Sequence, residues 1–253
     1  MPNPRWTHDR KLAKTHLGVV GVDEAGRGCL AGPVVAGAVI LPSPFFGDAK
    51  NRKLTAEMND SKQFDEKKRE SLYSRVLELA ENKVLFGATG KASVEEIEEH
   101  NIVGATCLAM QRAMDAASCK YAGLWKPELT SSMELFENNR DQGKDWIVLV
   151  DGRPMKKLPY KHAGLVKGDT KSLAIAMASM LAKVSRDRFM RELHNQFPEF
   201  GFNSNKGYGA PVHLRALREC GPTEHHRPRF LRNLLSDTKN TARNQEQSQL
   251  SLL

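Results

Sequence analysis

Residues 17–41 read L-G-V-V-G-V-D-E-A-G-R-G-C-L-A-G-P-V-V-A-G-A-V-I-L. Leu17 to Asp23 is a short β-branched run, which predicts a strand by length and composition. A glycine-rich turn, Gly26 to Gly32, leads into a second strand over Pro33 to Leu41. Further on, Trp146 to Asp151 (W-I-V-L-V-D) is a continuous apolar run, as expected of a central parallel strand buried on both faces. Both the first strand and this one end in carboxylates, Asp23-Glu24 and Asp151, with a glycine within two residues. In open α/β sheets, ligands gather beyond the carboxyl ends of strands. An aspartate there is costly unless its charge is compensated, and a bound cation would compensate it. A cap or turn aspartate is the plainer alternative for each one taken singly.

The rest of the chain fits a layered α/β fold. Asp65 to Glu81 predicts an amphipathic helix, with Leu72, Val76 and Leu79 on one face. Lys83 to Thr89 predicts a third strand. Ser93 to Glu96 is a capping box that opens a helical stretch, continued over Ile102 to Ala117. Ala163 to Val166 predicts a short strand, and Thr170 to Phe197 the longest helix. One short helix is expected over Val212 to Glu219. Residues 42–59 and 126–145 are expected as surface loops. Strands first, then alternating helices and strands, imply a sheet of mixed pairing. The expected divisions are a loose leader (1–16), a catalytic domain (17–197), a C-terminal helical region that completes a substrate groove (198–236), and a disordered polar tail (237–253).

The 253 residues carry a formal net charge of +8 and a pI of about 9.3. Such an excess favours a polyanionic partner, because lysines and arginines that neutralise phosphates release counterions. Cys29, Cys107, Cys119 and Cys220 form no C-x-x-C pair and have no histidine cluster beside them, which argues against zinc and for reduced, mostly buried thiols. The first 14 residues lack an apolar signal core, and the apolar runs are too short to span a bilayer. A cytoplasmic protein is expected.

Asp23 and Glu24 are adjacent, and adjacent strand residues point to opposite faces. Both can serve one ion only if the chain bends or one of them uses its carbonyl. Asp187 is a fourth candidate. It lies one helical turn after Lys183, near an apolar face of Leu173, Met177, Met180 and Val184. The spacing fits a solvated ion pair as well as a ligand.

V-D-E-A-G-R-G at 22–28, followed by G-P-V-V-A-G-A-V, resembles the signature of ribonuclease HII. So do N-D-S-K at 59–62, V-D-G at 150–152, K-G-D at 167–169, A-S-M-L-A-K-V-S-R-D-R at 178–188, N-K-G-Y-G at 205–209 and the closing G-P…H-R at 221–227. The resemblance covers residues 17 to 230. It implies an RNase H-like fold, with a five-stranded mixed sheet flanked by helices and a small C-terminal helical part. It implies a metal site of Asp23, Glu24, Asp151 and Asp187. It also implies that the backbone of Gly26, Arg27 and Gly28 approaches a ribose 2′-hydroxyl, that Tyr208 packs on the next sugar, and that Lys62 and Lys183 contact phosphate. Arg153, Pro154 and Ala210 depart from the family pattern, and the loops at 42–59 and 126–145 are longer than in compact members.

All-oxygen ligands point to Mg²⁺, with Mn²⁺ as a substitute. The implied activity is two-metal hydrolysis of the RNA strand of RNA/DNA hybrids and nicking 5′ of ribonucleotides embedded in duplex DNA, which leaves 3′-hydroxyl and 5′-phosphate ends. The implied role is ribonucleotide removal by a monomer. The last five residues, Q-L-S-L-L, resemble the pentapeptide that docks bacterial sliding clamps, through Gln249, Leu250, Leu252 and Leu253. The sister family ribonuclease HIII, a non-catalytic nucleic-acid binder on the same fold, and a metal phosphatase are the alternatives.

Overall fold

The computed structural model describes residues 3–121, 125–130 and 145–232. Its elements are α1 (Pro4–Leu12), β1 (Gly18–Ala25), β2 (Val34–Pro42), α2 (Ala49–Leu54), α3 (Glu66–Glu81), β3 (Phe86–Ala92), α4 (Val94–Lys120), β4 (Ile147–Asp151), β5 (Ala163–Leu165), α5 (Leu173–Gln196), α6 (Phe202–Asn205) and α7 (Pro211–Glu219). The strands form one sheet in the order β3-β2-β1-β4-β5. β1 pairs antiparallel with β2 and parallel with β4, and β5 adds parallel to β4. The mixed five-stranded sheet expected from the sequence is therefore present.

Alternation along β1 assigns its side chains to two faces. Val19 joins a core with Val39, Leu72, Val76 and Leu79 from one side and Leu173, Met177 and Met180 of α5. Val20 and Val22 join the opposite core with Met110, Ala113 and Met114 of α4. Each valine, leucine or methionine side chain so buried contributes about 1.5–3 kcal/mol. α5 lies with its backbone against the sheet. A Cβ at Gly21 would overlap the backbone of Ala174, and one at Gly37 the carbonyl of Ala178. That close approach explains the alternating alanines of α5 and fixes where its polar residues stand over β1. A third cluster, with Met190, Phe200, Phe202 and Leu217, fastens α6 and α7 to the far end of α5.

Five points differ from the expectations. Residues 1–16 are not a loose leader where they are described, because α1 is docked. Trp6 and Asp9 are buried, and Trp6 packs on Phe45 and Phe46 with ring centroids 5.3 and 5.2 Å away. Asp9 accepts hydrogen bonds from the Ser172 hydroxyl and the Ala174 amide, so it caps the start of α5. Residues 42–59 are not a plain loop, since they hold a 3-10 turn over Ser43–Gly47, then α2, with Phe45, Phe46 and Met58 buried. β3 begins three residues later than expected, because left-handed Lys83 (φ 55°) turns the chain after α3. α4 is broken at Asn101, whose φ is 56° and ψ 170°. The Asn101 side chain then accepts from the amides of Val103 and Gly104 and caps the second half. Of the four cysteines, Cys29 and Cys107 are buried while Cys119 and Cys220 are exposed, so burial holds for half of them.

Candidate active site

The parallel register pairs Val22 with Val150, so the next residues, Asp23 near the end of β1 and Asp151 at the end of β4, lie side by side on neighbouring strands. Asp23 shares the face of Val19 and is almost fully buried beneath α5. There the nearby Ser179 hydroxyl favours the ionised form of its carboxylate. The Ser61 hydroxyl lies 3.0 Å from that of Ser179, which extends the chain of polar groups into the 59–62 segment. Burial, with Glu24 and Asp151 alongside, pushes the Asp23 carboxyl well above the ordinary carboxylate range. Burial raises Glu24 too, opposed by Arg27 and reinforced by Asp151.

β1 stays regular through Glu24, which pairs with Ala36. The two acidic side chains therefore leave on opposite faces, and Glu24 acts electrostatically on Cys107 of α4. Asp23, Glu24 and Asp151 thus form an electrostatic trio at one corner of the sheet. Asp187 stands two turns beyond Ser179 on the same face of α5, about 12 Å along the axis.

Each carboxylate faces a donor within the protein. Asp23 Oδ1 accepts from the Glu24 amide at 2.7 Å. Glu24 takes Arg27 at 3.3 Å, Asp151 takes the Gly168 amide at 2.6 Å, and Asp187 takes the Lys183 ammonium at 2.8 Å. In these rotamers, among the described residues, no three of the His, Cys, Asp and Glu side chains close on a single point. The donor set still fits hard divalent cations. It offers only oxygens, and it crowds like charges around a buried aspartate that a cation would relieve.

Beside this corner lies a cavity of about 450 Å³ lined by Glu24, Gly26, Arg27, Gly28, Lys183 and Tyr208, among others. Tyr208 is half exposed there. Its carbonyl is held by a histidine relay. The Thr223 amide donates to His226 Nδ1, so His226 Nε2 donates to His213 Nε2, and His213 Nδ1 donates to the Tyr208 carbonyl. Burial, then His213, lowers His226 to about 4, which keeps the relay neutral. Lys62 has its backbone in the 3-10 turn Ser61–Gln63, but its side chain lies outside the described residues. So do Gln249, Leu250, Leu252 and Leu253.

The ribonuclease HII family model matches residues 20–234. The chain belongs to the ribonuclease HII family. It is accordingly a ribonuclease H hydrolase. It is 40% identical to the Ribonuclease HII of Fusobacterium nucleatum over 93% of this chain and 94% of that one. Among solved structures it resembles the RNase HII of the Archaeoglobus fulgidus PCNA:RNase HII complex, with 24% identity, TM-score 0.56, and coverage of 84% of this chain and 93% of that one. It also resembles Bst-RNase HIII in complex with Mn²⁺, with 18% identity, TM-score 0.57, and coverage of 83% and 66%. These likenesses bear out the RNase H-like fold, and the family match sets aside the ribonuclease HIII alternative.

Sequence reasoning missed several residues of this ribonuclease HII site. Ser179 and Ser61 lay inside quoted motifs but carry no charge to single them out. Arg69 lines the cavity and donates to the Ser61 and Phe64 carbonyls, and nothing in the sequence singled it out. Arg186 and Arg227 also lay inside quoted motifs without being singled out, and they are almost completely buried.

Proposed function

We propose that this ribonuclease HII nicks duplex DNA on the 5′ side of an embedded ribonucleotide, cuts the RNA strand of hybrids, and leaves 3′-hydroxyl and 5′-phosphate ends. The observation that carries this reading is the adjacency of the acidic corner and the glycine-rich loop in one groove. At Gly28 a Cβ would meet nothing within 4 Å, and no positive φ demands a glycine. The space belongs to the groove, where close backbone approach to a 2′-hydroxyl distinguishes RNA from DNA.

Asp23, Glu24, Asp151 and Asp187 would hold two Mg²⁺ or Mn²⁺ ions, which supply Lewis acidity at the attacking water and at the departing 3′ oxygen. The Mn²⁺ complex of Bst-RNase HIII supports that cofactor class. Glu24 has its side chain on the far face of β1, so its carbonyl or a changed rotamer would complete the set. Lys183 and Lys62 would bind phosphate, with Lys183 leaving Asp187 as it does so. Tyr208, held by the histidine relay, would pack on the sugar beyond the ribonucleotide. The 2′-hydroxyl is a recognition element and not the nucleophile.

This activity would serve ribonucleotide removal during DNA replication and repair, and reduced cysteines suit the cytoplasm. The clamp reading of Gln249 to Leu253 gains support from the Archaeoglobus RNase HII, which was solved with PCNA. Deleting the last five residues should abolish binding to a bacterial sliding clamp without changing cleavage. For the activity itself, one gel suffices: a duplex with a single ribonucleotide beside an all-DNA control, each with and without Mg²⁺. A Mg²⁺-dependent nick on the 5′ side of the ribonucleotide alone is expected. An intact ribonucleotide duplex, or equal cutting of the DNA control, would refute the assignment.

A further inference from the structure

Two arginines lie behind the glycine-rich loop. Arg186 is 1% exposed and Arg227 is 0% exposed. The hydrogen bonds of both guanidinium groups go to backbone carbonyls. Arg227 donates to the carbonyls of Gly26 (2.8 Å), Arg27 (3.0 Å) and Gly32 (2.9 and 2.7 Å). Arg186 donates to those of Pro33 (3.0 Å), Ala31 (3.0 Å) and Lys206 (2.9 Å). A side chain at Gly26 would collide with the Arg186 guanidinium, so the loop can rest on the arginine only as glycine.

A trans peptide points its C=O and its N–H in opposite directions. Drawing the Gly26 and Arg27 carbonyls inward therefore turns the amides of Arg27 and Gly28 outward, toward the groove that these residues line. Through the Lys206 carbonyl, Arg186 also ties the loop to the segment that carries Tyr208, and the Leu30 amide bonds the Gly207 carbonyl at 2.8 Å. Arg186 precedes Asp187 on α5, so the ribose side and the acidic side hang from one helix.

Stability alone gives a poor reason for this arrangement. Two like charges share one interior, and burial, then Arg186, lowers Arg227 to about 10. Burying a charge is costly even where carbonyls meet it.

We propose that Arg186 and Arg227 are positioning residues for ribose recognition, a buried clamp that aims the amides of Arg27 and Gly28 at the 2′-hydroxyl. The proposal rests on the reading of Gly26–Gly28 as the ribose-facing segment. Arg227→Lys and Arg186→Lys keep the charge but replace a planar fork by a point donor that cannot span the same carbonyls. Steady-state kcat and KM are measured for both variants and the wild type on a single-ribonucleotide duplex and on an RNA/DNA hybrid, together with melting temperatures.

A misplaced recognition group should lower kcat/KM on the single ribonucleotide by about tenfold to a hundredfold. The hybrid offers a 2′-hydroxyl in every register, so its kcat/KM should change by less than about threefold. Parallel losses on both substrates, or no loss on either, overturn the clamp. Failure of both variants to fold overturns it as well, because the arginines would then be scaffold. A wild type that cuts the hybrid but not the single ribonucleotide sinks the underlying functional reading instead.

Discussion

The acidic corner and the arginine clamp are both buried charge, and they are resolved in opposite ways. Around Arg186 and Arg227, backbone carbonyls meet the guanidinium N–H groups from several sides. Around Asp23, the nearest strong influences are two further carboxylates, and one hydroxyl and one amide do not offset them. Buried charge that is fully hydrogen-bonded can build a loop. Buried charge left crowded by its own sign is a place for something of opposite sign.

The sharpest way to break this contrast is to remove charge from the corner. Asp151→Asn should lower cleavage by at least about a thousandfold while duplex affinity stays near that of the wild type. Filter binding beside single-turnover cleavage separates the two, and full activity would remove Asp151 from the site. Tyr208→Ala comes next. It should cost about tenfold to a hundredfold on a single ribonucleotide with little change in melting temperature, because the ring is half exposed. An unchanged rate would leave the relay from Thr223 to Tyr208 without a catalytic purpose.

The smallest effect concerns stability. Asp23 titrates above its ordinary value of 3.8 in the folded chain. Between that value and the raised one, the native state binds more protons than the unfolded state, so stability falls as pH rises through the window. Asp23→Asn removes this loss. Without added metal at neutral pH its melting temperature should exceed that of the wild type by about 2–4 °C, with the gain shrinking as pH is lowered toward 4. A lower melting temperature at neutral pH would show that Asp23 is a structural anchor and that the corner is not strained.

Much of this was legible in the sequence, for reasons that individual residues make plain. Asp23 and Asp151 end apolar runs, and the sheet has only one way to bring such ends together. The conflict between Asp23 and Glu24 on a regular strand was also visible, and the structure retains it. α1 escaped notice because its buried stripe, Trp6, Asp9 and Ala13, has an aspartate at its centre. Only the capped start of α5 explains why a charge belongs there. The clamp escaped for a similar reason. Nothing local tells Arg186 from Arg188, yet one is buried among carbonyls and the other pairs with Glu70 at the surface.

The central claim is that four carboxylates act as one divalent-cation site, and Asp187, turned toward Lys183, is its most exacting member. Calorimetric titration with Mn²⁺ of the wild type, Asp151→Asn and Asp187→Asn tests it directly. The account predicts that the wild type binds and that each variant loses at least about tenfold in affinity. Wild-type affinity in Asp187→Asn would contradict it.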